Sequence, residues 1–209
     1  MQAMGNYWLT LVTSSARTIK GKVELYTGST LTNTYLATDK LANFKIEKTP
    51  KHGAFFGYSI SQKATVELID RDNTVAITKG DRIKPYIGTS VEYAKECSFI
   101  VEEAIRDEVR KTVTVTAYDL MNEAAKHKHE ELTITFPITL KSYADAVAAL
   151  LGTTVKWELV NDTFENIEYT ETNYPNFEGT ETLREVLEAI AQASGSICFI
   201  NYEDKITFK

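Results

Sequence analysis

From about residue 20 onward, apolar positions recur mostly at every second residue, the spacing of a strand that buries one face. Val23-Glu-Leu-Tyr-Thr27 alternates and is followed by a Gly28-Ser-Thr turn. Leu41 to Glu47 alternates again and stops at a Pro/Gly loop, Thr49-Pro-Lys-His-Gly53. Tyr58 to Ile69 predicts a long strand, and Asp70-Arg-Asp-Asn73 then turns the chain. Val75–Ile77, Arg82–Ile87, Tyr93–Val101 and Val109–Thr116 complete about seven or eight strands. Pro85 lies inside one of them, which predicts an edge position or a bulge, since proline has no N–H for the ladder. Many short strands between turn residues predict a β-barrel or sandwich.

The period changes after Val113-Thr-Val-Thr-Ala117. Asp119 is a good helix N-cap, and a short helix is expected from Leu120 to His127. Leu132–Phe136 alternates as a strand would, up to Pro137. Ser142 is expected to cap a helix over Tyr143–Leu151, with Val147, Leu150 and Leu151 on one face and Gly152 at its end. Val155–Val160 alternates, and Asn161–Gly179 is an acidic, aromatic loop with room for one strand. The strongest helix signal follows. Leu183, Val186, Leu187, Ile190 and Ala191 form an apolar stripe, with Thr182 and Glu185 at capping-box spacing before it. Ser196–Lys209 reads as a β-hairpin, and its Ile197, Phe199, Ile206 and Phe208 are the expected partners of that stripe. The fold class expected is α+β: a β-barrel-like domain over residues 1–117, then a smaller α+β domain over 118–209.

Composition changes this picture little, but charge does. The 209 residues are 43% hydrophobic and 25% charged, ordinary for a globular protein. No apolar run approaches the roughly 20 residues of a membrane-spanning helix, so membrane insertion is not expected. The net charge is −6, yet residues 1–90 carry 12 Lys/Arg against 7 Asp/Glu, and residues 91–209 carry 11 against 22. An acidic chain is a poor phosphate-backbone binder, so sequence-specific nucleic-acid binding is not expected. Opposite signs in the two halves suit protein contacts, where complementary patches fix register.

Residues that could carry chemistry are few. His127 and His129 flank Lys128 ahead of Glu130-Glu131, and two imidazoles one residue apart can share a metal ion. Here they sit in a polar stretch where a helix ends, which reads as solvated surface. Cys97 and Cys198 lie in apolar strand patterns, as small buried hydrophobes do. Lys51-His-Gly-Ala-Phe-Phe-Gly57 has the look of a phosphate loop, but its glycines are explained by a tight turn into a strand. No nucleophile elbow, metalloprotease helix or Cys-x-x-Cys pair is present. No catalytic, cofactor-binding or metal-binding residue is therefore assigned, and no cofactor is expected.

The order of elements resembles the hub proteins at the distal end of phage tails. The resemblance rests on the loop ending at Phe56-Gly57, the strand Thr65-Val-Glu-Leu-Ile-Asp70 and the junction Ala117-Tyr-Asp-Leu-Met121. It rests also on the helix Thr182-Leu-Arg-Glu-Val-Leu-Glu-Ala-Ile-Ala-Gln-Ala-Ser-Gly195 and the hairpin Ser196–Lys209. It implies a non-enzymatic virion protein of the tail tip, assembled in the bacterial cytoplasm as a homotrimer. The β-domains would form a ring continuing the tail tube, and the partners would be other tail proteins, the distal tail protein and the tape measure among them. In that family the chain continues to a second barrel-like domain, so this chain is expected to be an N-terminal fragment or a short relative. Two alternatives remain: a tail-associated cell-wall hydrolase, and a carbohydrate-binding module using Phe164, Tyr169, Tyr174 and Phe177.

Overall fold

A computed structural model describes residues 20–50, 56–88, 93–159, 163, 166–170, 175, 177 and 179–209. The fold is α+β, mostly sheet with few helices. The chain gathers into two compact units: residues up to Ile46 with Lys63–Ala117, and Glu47–Gln62 with Tyr118–Lys209. Residues 47–62 thus run with the second unit, although they lie within the strand-rich first part of the sequence.

The first unit is built on β1 (Lys20–Thr27), β2 (Thr30–Leu36), β3 (Leu41–Pro50), β4 (Tyr58–Ile69), β5 (Arg82–Gly88), β6 (Tyr93–Lys95), β7 (Phe99–Asp107) and β8 (Thr112–Tyr118), except that β3 from Glu47, β4 up to Gln62 and Tyr118 of β8 fall in the second. The hydrogen-bonded order is β4–β8–β7–β5–β1–β2, with β3 also on β4 and β6 also on β5. Strands β1 and β2 form an antiparallel hairpin around Gly28, whose φ of 61° is the left-handed region that glycine enters without strain. Its core is the inward set the alternation predicts: Val23, Leu25, Leu68, Ile83, Phe99, Val101 and Val115 are all buried.

Two strand expectations need correcting in this unit, and one strand was not anticipated. Thr30–Leu36 is a strand although only Tyr35 is buried, so it carries no alternating signal. Val75–Ile77 belongs to no strand, and Tyr93–Val101 is broken between Lys95 and Phe99. That break accounts for Pro85, which lies in the interior strand β5 opposite Val23 of β1. The Pro85 carbonyl accepts from Glu96 N–H at 3.0 Å, so its imide nitrogen faces the same gap between β6 and β7. The missing donor falls where the neighbouring strand is interrupted, so Pro85 marks an irregularity and not an edge.

The second unit carries α1 (Leu120–Ala124), a 3-10 turn (His129–Glu131), α2 (Leu140–Leu150) and α3 (Leu183–Ala193). Its strands are β9 (Ile138–Thr139), β10 (Val155–Trp157), β11 (Glu168–Tyr169), β12 (Ile197–Ile200) and β13 (Ile206–Phe208). The order is β10–β13–β12, and β12 runs parallel to the first residues of β4, with Cys198 beside Ser59. β9 and β11 make a separate antiparallel ribbon. Helix α3 packs on β12, α1 and α2, and Leu183, Val186, Leu187, Ile190 and Ala191 are wholly buried.

Here too the local readings shift. Helix α2 starts three residues early: Thr139 is its N-cap and accepts from Ser142 N–H at 3.1 Å. Its buried face is Leu140, Tyr143, Ala144, Val147 and Ala148, while Leu150 and Leu151 are half-buried. Leu132–Phe136 alternates in sequence but forms no strand. In the terminal hairpin the buried apolar positions are Cys198, Ile200, Ile206 and Phe208, so β12 turns Cys198 and Ile200 inward and leaves Ile197 and Phe199 half-exposed.

The capping box of α3 forms as expected. Thr182 N–H donates to Glu185 Oε2 at 2.7 Å, and Glu185 N–H donates to Thr182 Oγ1 at 3.3 Å. Thr182→Ala should cost about 1 kcal/mol, seen as a lower urea midpoint with an unchanged slope. A midpoint equal to the parent's would show that other contacts hold the helix start.

Candidate functional site

The His-x-His segment is a splice in the chain. His127 Nδ1 lies 2.8 Å from Glu131 Oε2, and Glu131 also accepts from Lys128 N–H at 2.7 Å. These two partners hold the Glu131 carboxyl below the usual carboxylate range. The His129 ring turns the other way, edge-on to Tyr143 at 6.2 Å and tilted on Phe177 at 5.3 Å. Burial there pushes its pKa down, which favours the neutral imidazole. The main chain between them bonds to the entry of α3: Lys128 bridges Thr182, Leu183 N–H reaches His127 O, and His129 N–H reaches Glu181 O. The two rings serve different neighbours, and among the described residues no group of three His, Cys, Asp or Glu is arranged around a metal position.

Neither cysteine is set up as a nucleophile. Both are buried, and burial drives the Cys198 thiol well up, with nearby Glu188 and Asp119 acting in the same direction. Of the 51–57 loop, residues 51–55 lie outside the described set. Gly57 has φ 75°, and a Cβ placed on it would sit 3.0 Å from Cβ of Gln192. That glycine is required by a close approach to α3, with Gly57 N–H donating to Ser196 O at 2.7 Å. Of the four aromatic residues in the acidic loop, Phe164 and Tyr174 lie outside the described residues. Tyr169 is buried edge-on to Tyr143 and donates to Ala189 O at 3.3 Å, so it packs the loop onto the core.

The densest polar constellation is one the sequence reading did not assemble. Along β4 the inward positions are Ser59, then Gln62, Ala64, Val66 and Leu68, a one-residue slip in the alternation at Ile60–Ser61. Ser59 is fully buried; it accepts from Arg184 Nε at 2.7 Å and donates to Glu188 Oε1 at 2.7 Å. Arg184 and Glu188, one turn apart on α3, also pair at 3.4 Å. Asp119 is at the N-cap of α1 by its backbone, but its carboxyl makes no cap bond. It turns to β4 instead, accepting from Gln62 N–H at 2.9 Å and lying 3.2 Å from Ser61 Oγ. Gln62 Nε2 in turn donates to Ile200 O at 2.9 Å. The Arg184/Glu188 spacing was the available sequence signal; the serines and Asp119 lie too far off in the chain to join it.

In the first unit two charged arrangements are likewise engaged by neighbours. Glu24 accepts from Lys22, Tyr26 and Tyr86 at 2.7, 2.9 and 2.8 Å. Burial alone would raise this carboxyl, and the three hydrogen bonds outweigh it and hold it low. A shallow cleft lined by Asp39, Lys40, Ile69, Arg71 and Asp72 is occupied by its own ion pair, Lys40 with Asp72 at 2.7 Å. Among the described residues, these arrangements hold strands and helices together without presenting a nucleophile, a base and an open position side by side.

Known structures place this architecture. The chain shares its fold with solved tail proteins. The 43 kDa tail protein of prophage MuSo2 from Shewanella oneidensis matches 90% of the chain, with a TM-score of 0.58 and 14% identity. A tail protein from Neisseria meningitidis MC58 matches 90%, at 0.59 and 12%. The prophage tail protein gp18 from Listeria monocytogenes EGD-e matches 91%, at 0.52 and 11%. The chain spans about half the length of these proteins, 52%, 50% and 50% respectively. No family profile matches the sequence, and no curated protein matches it.

Proposed function

We propose that this chain is a structural component of a phage or prophage tail tip, a hub joining the tail tube to the distal end. The observation that carries the reading is the shared fold: both units together match tail proteins of three bacteria over nine-tenths of the chain. The polar groups described above serve to hold the fold, which favours a structural role over a catalytic one. In this reading the strand-rich part, residues 1–117, closes barrel-like within a ring, and the protein is a homotrimer that meets the distal tail protein and the tape measure.

Charge supports protein contacts of this kind. The first unit carries 14 Lys/Arg against 12 Asp/Glu, and the second 9 against 17, net +2 and −8. A ring needs two different patches of one copy to meet on the next, and opposite signs favour such a heterologous contact. An acidic unit beside a DNA conduit would also repel phosphates.

Light scattering over a concentration series should show the full-length protein as a trimer that weakens at high salt, as exposed charge contacts do when screened. A full-length protein that stays monomeric at high concentration and low salt would remove the hub reading. Antibody labelling of purified particles separates a tail position from others: label at the distal tip is expected, and label confined to the head would refute it.

A further inference from the structure

The Asp119 carboxyl is the one buried acid in the second unit's polar cluster whose surroundings suit the neutral form. It is fully buried, and among the described residues it makes no ion pair. The groups around it can be followed element by element. From α3 come Arg184 and Glu188, from β12 the Cys198 thiol, and from β4 the Ser59 and Ser61 hydroxyls and the Gln62 amide. Two carboxylates therefore share one guanidinium, and Arg184 commits its Nε to Ser59 and Glu188 at 2.7 and 3.4 Å. Arg184 acts on Asp119 through space and makes no ion pair with it among the described residues.

The hydrogen bonds fit a protonated acid. Oδ2 accepts from Gln62 N–H, and Ser61 Oγ donates to Oδ1 at 3.2 Å; with the acid protonated that second contact reverses, Oδ1–H donating to the hydroxyl oxygen, which can accept as well as donate. The same aspartate holds two separate stretches of chain, because its own N–H also donates to Gln62 O at 3.0 Å. The acid thus clasps the first part of β4 to the start of α1.

We propose that Asp119 is a proton-operated latch: it is held as the neutral acid while the β4–α1 clasp is closed and gives up that proton when the clasp opens. Burial is the dominant influence and pushes the carboxyl up to about 7, against the Gln62 and Ser61 hydrogen bonds, the Asn122 N–H and Arg184, which pull it down. In an opened, hydrated clasp the same group titrates near its ordinary value of about 3.9. The closed state therefore binds more protons than the open one between about pH 4 and pH 7, so raising pH across that window favours opening. Below about pH 4 both states are protonated and above about pH 7 both are ionised, and the dependence flattens at each end.

Two measurements on the intact chain test this. A carbon-detected NMR titration should give the Asp119 carboxyl carbon a midpoint near neutrality; a midpoint at or below about 4 would overturn the latch. Hydrogen exchange of the Gln62 amide, corrected for its intrinsic rate, should show an opening constant that rises roughly 300-fold from pH 4 to 7. Asp119→Asn, which is neutral at every pH, should make that constant flat. An opening constant in the parent that does not change with pH would refute the proposal, whether or not the variant folds.

Discussion

Leu187→Ala should destabilise the second unit by roughly 2–5 kcal/mol. Leu187 is wholly buried at the middle of α3, the helix that touches β12, α1 and α2. Removing three side-chain carbons there loses transfer free energy and leaves a cavity that three packed elements cannot all close. Ile190→Val, a smaller deletion at another buried position of the same helix, should cost about 0.5–1.5 kcal/mol, and that gradation separates cavity formation from helix propensity. Trp157 stacks on Phe208 with ring centroids 4.4 Å apart, so its fluorescence reports this unit. In a Trp8→Phe background, which removes the chain's other tryptophan, the urea midpoint can be followed through Trp157 alone. A Leu187→Ala loss well under 1 kcal/mol would mean the α3 face is not the core of this unit.

What was legible follows a physical rule: signals confined to one element could be read, and signals needing a partner could not. Helix α3 was readable because its stripe and its capping box lie between its caps, Thr182 and Ser194, and both depend only on local geometry. The face of β12 was not. In Ile197-Cys-Phe-Ile200 both alternating sets are apolar, so period two could not choose between them, and only the pairing of Cys198 with Ser59 beneath α3 fixes the inward side. β2 was invisible for the opposite reason, since an exposed Thr30-Leu-Thr-Asn-Thr34 has no apolar alternation and is a strand because β1 pairs with it. Leu132–Phe136 alternates and is not a strand, since alternation supplies no neighbour to bond. The polar cluster is the extreme case: Ser59 and Glu188 are 129 residues apart, and each alone looks like an ordinary surface residue.

The turn after β4 shows both halves of that rule in one place, and its variants should have the second large effect. Asp70-Arg-Asp-Asn73 is a turn by composition, and Asp70 builds it: Oδ1 accepts from Thr74 N–H at 2.8 Å and from Val75 N–H at 3.1 Å. Asn73 at φ 55° takes the left-handed position that asparagine tolerates. The unreadable half is Arg106, which arrives from β7 to pair with the buried Asp70 Oδ2 and donates to Val75 O at 2.9 Å and Asn73 Oδ1 at 3.2 Å. Asp70→Ala strands two amide donors and a guanidinium at once, so a loss of roughly 2–4 kcal/mol is expected. Asp70→Asn keeps an acceptor for the two N–H groups and loses only the charge, so it should cost less than Asp70→Ala. The Thr74 and Val75 amides should then exchange much faster in the alanine variant than in the asparagine one. Equal exchange in the two variants would show that Arg106, and not the turn amides, is what Asp70 is there to hold.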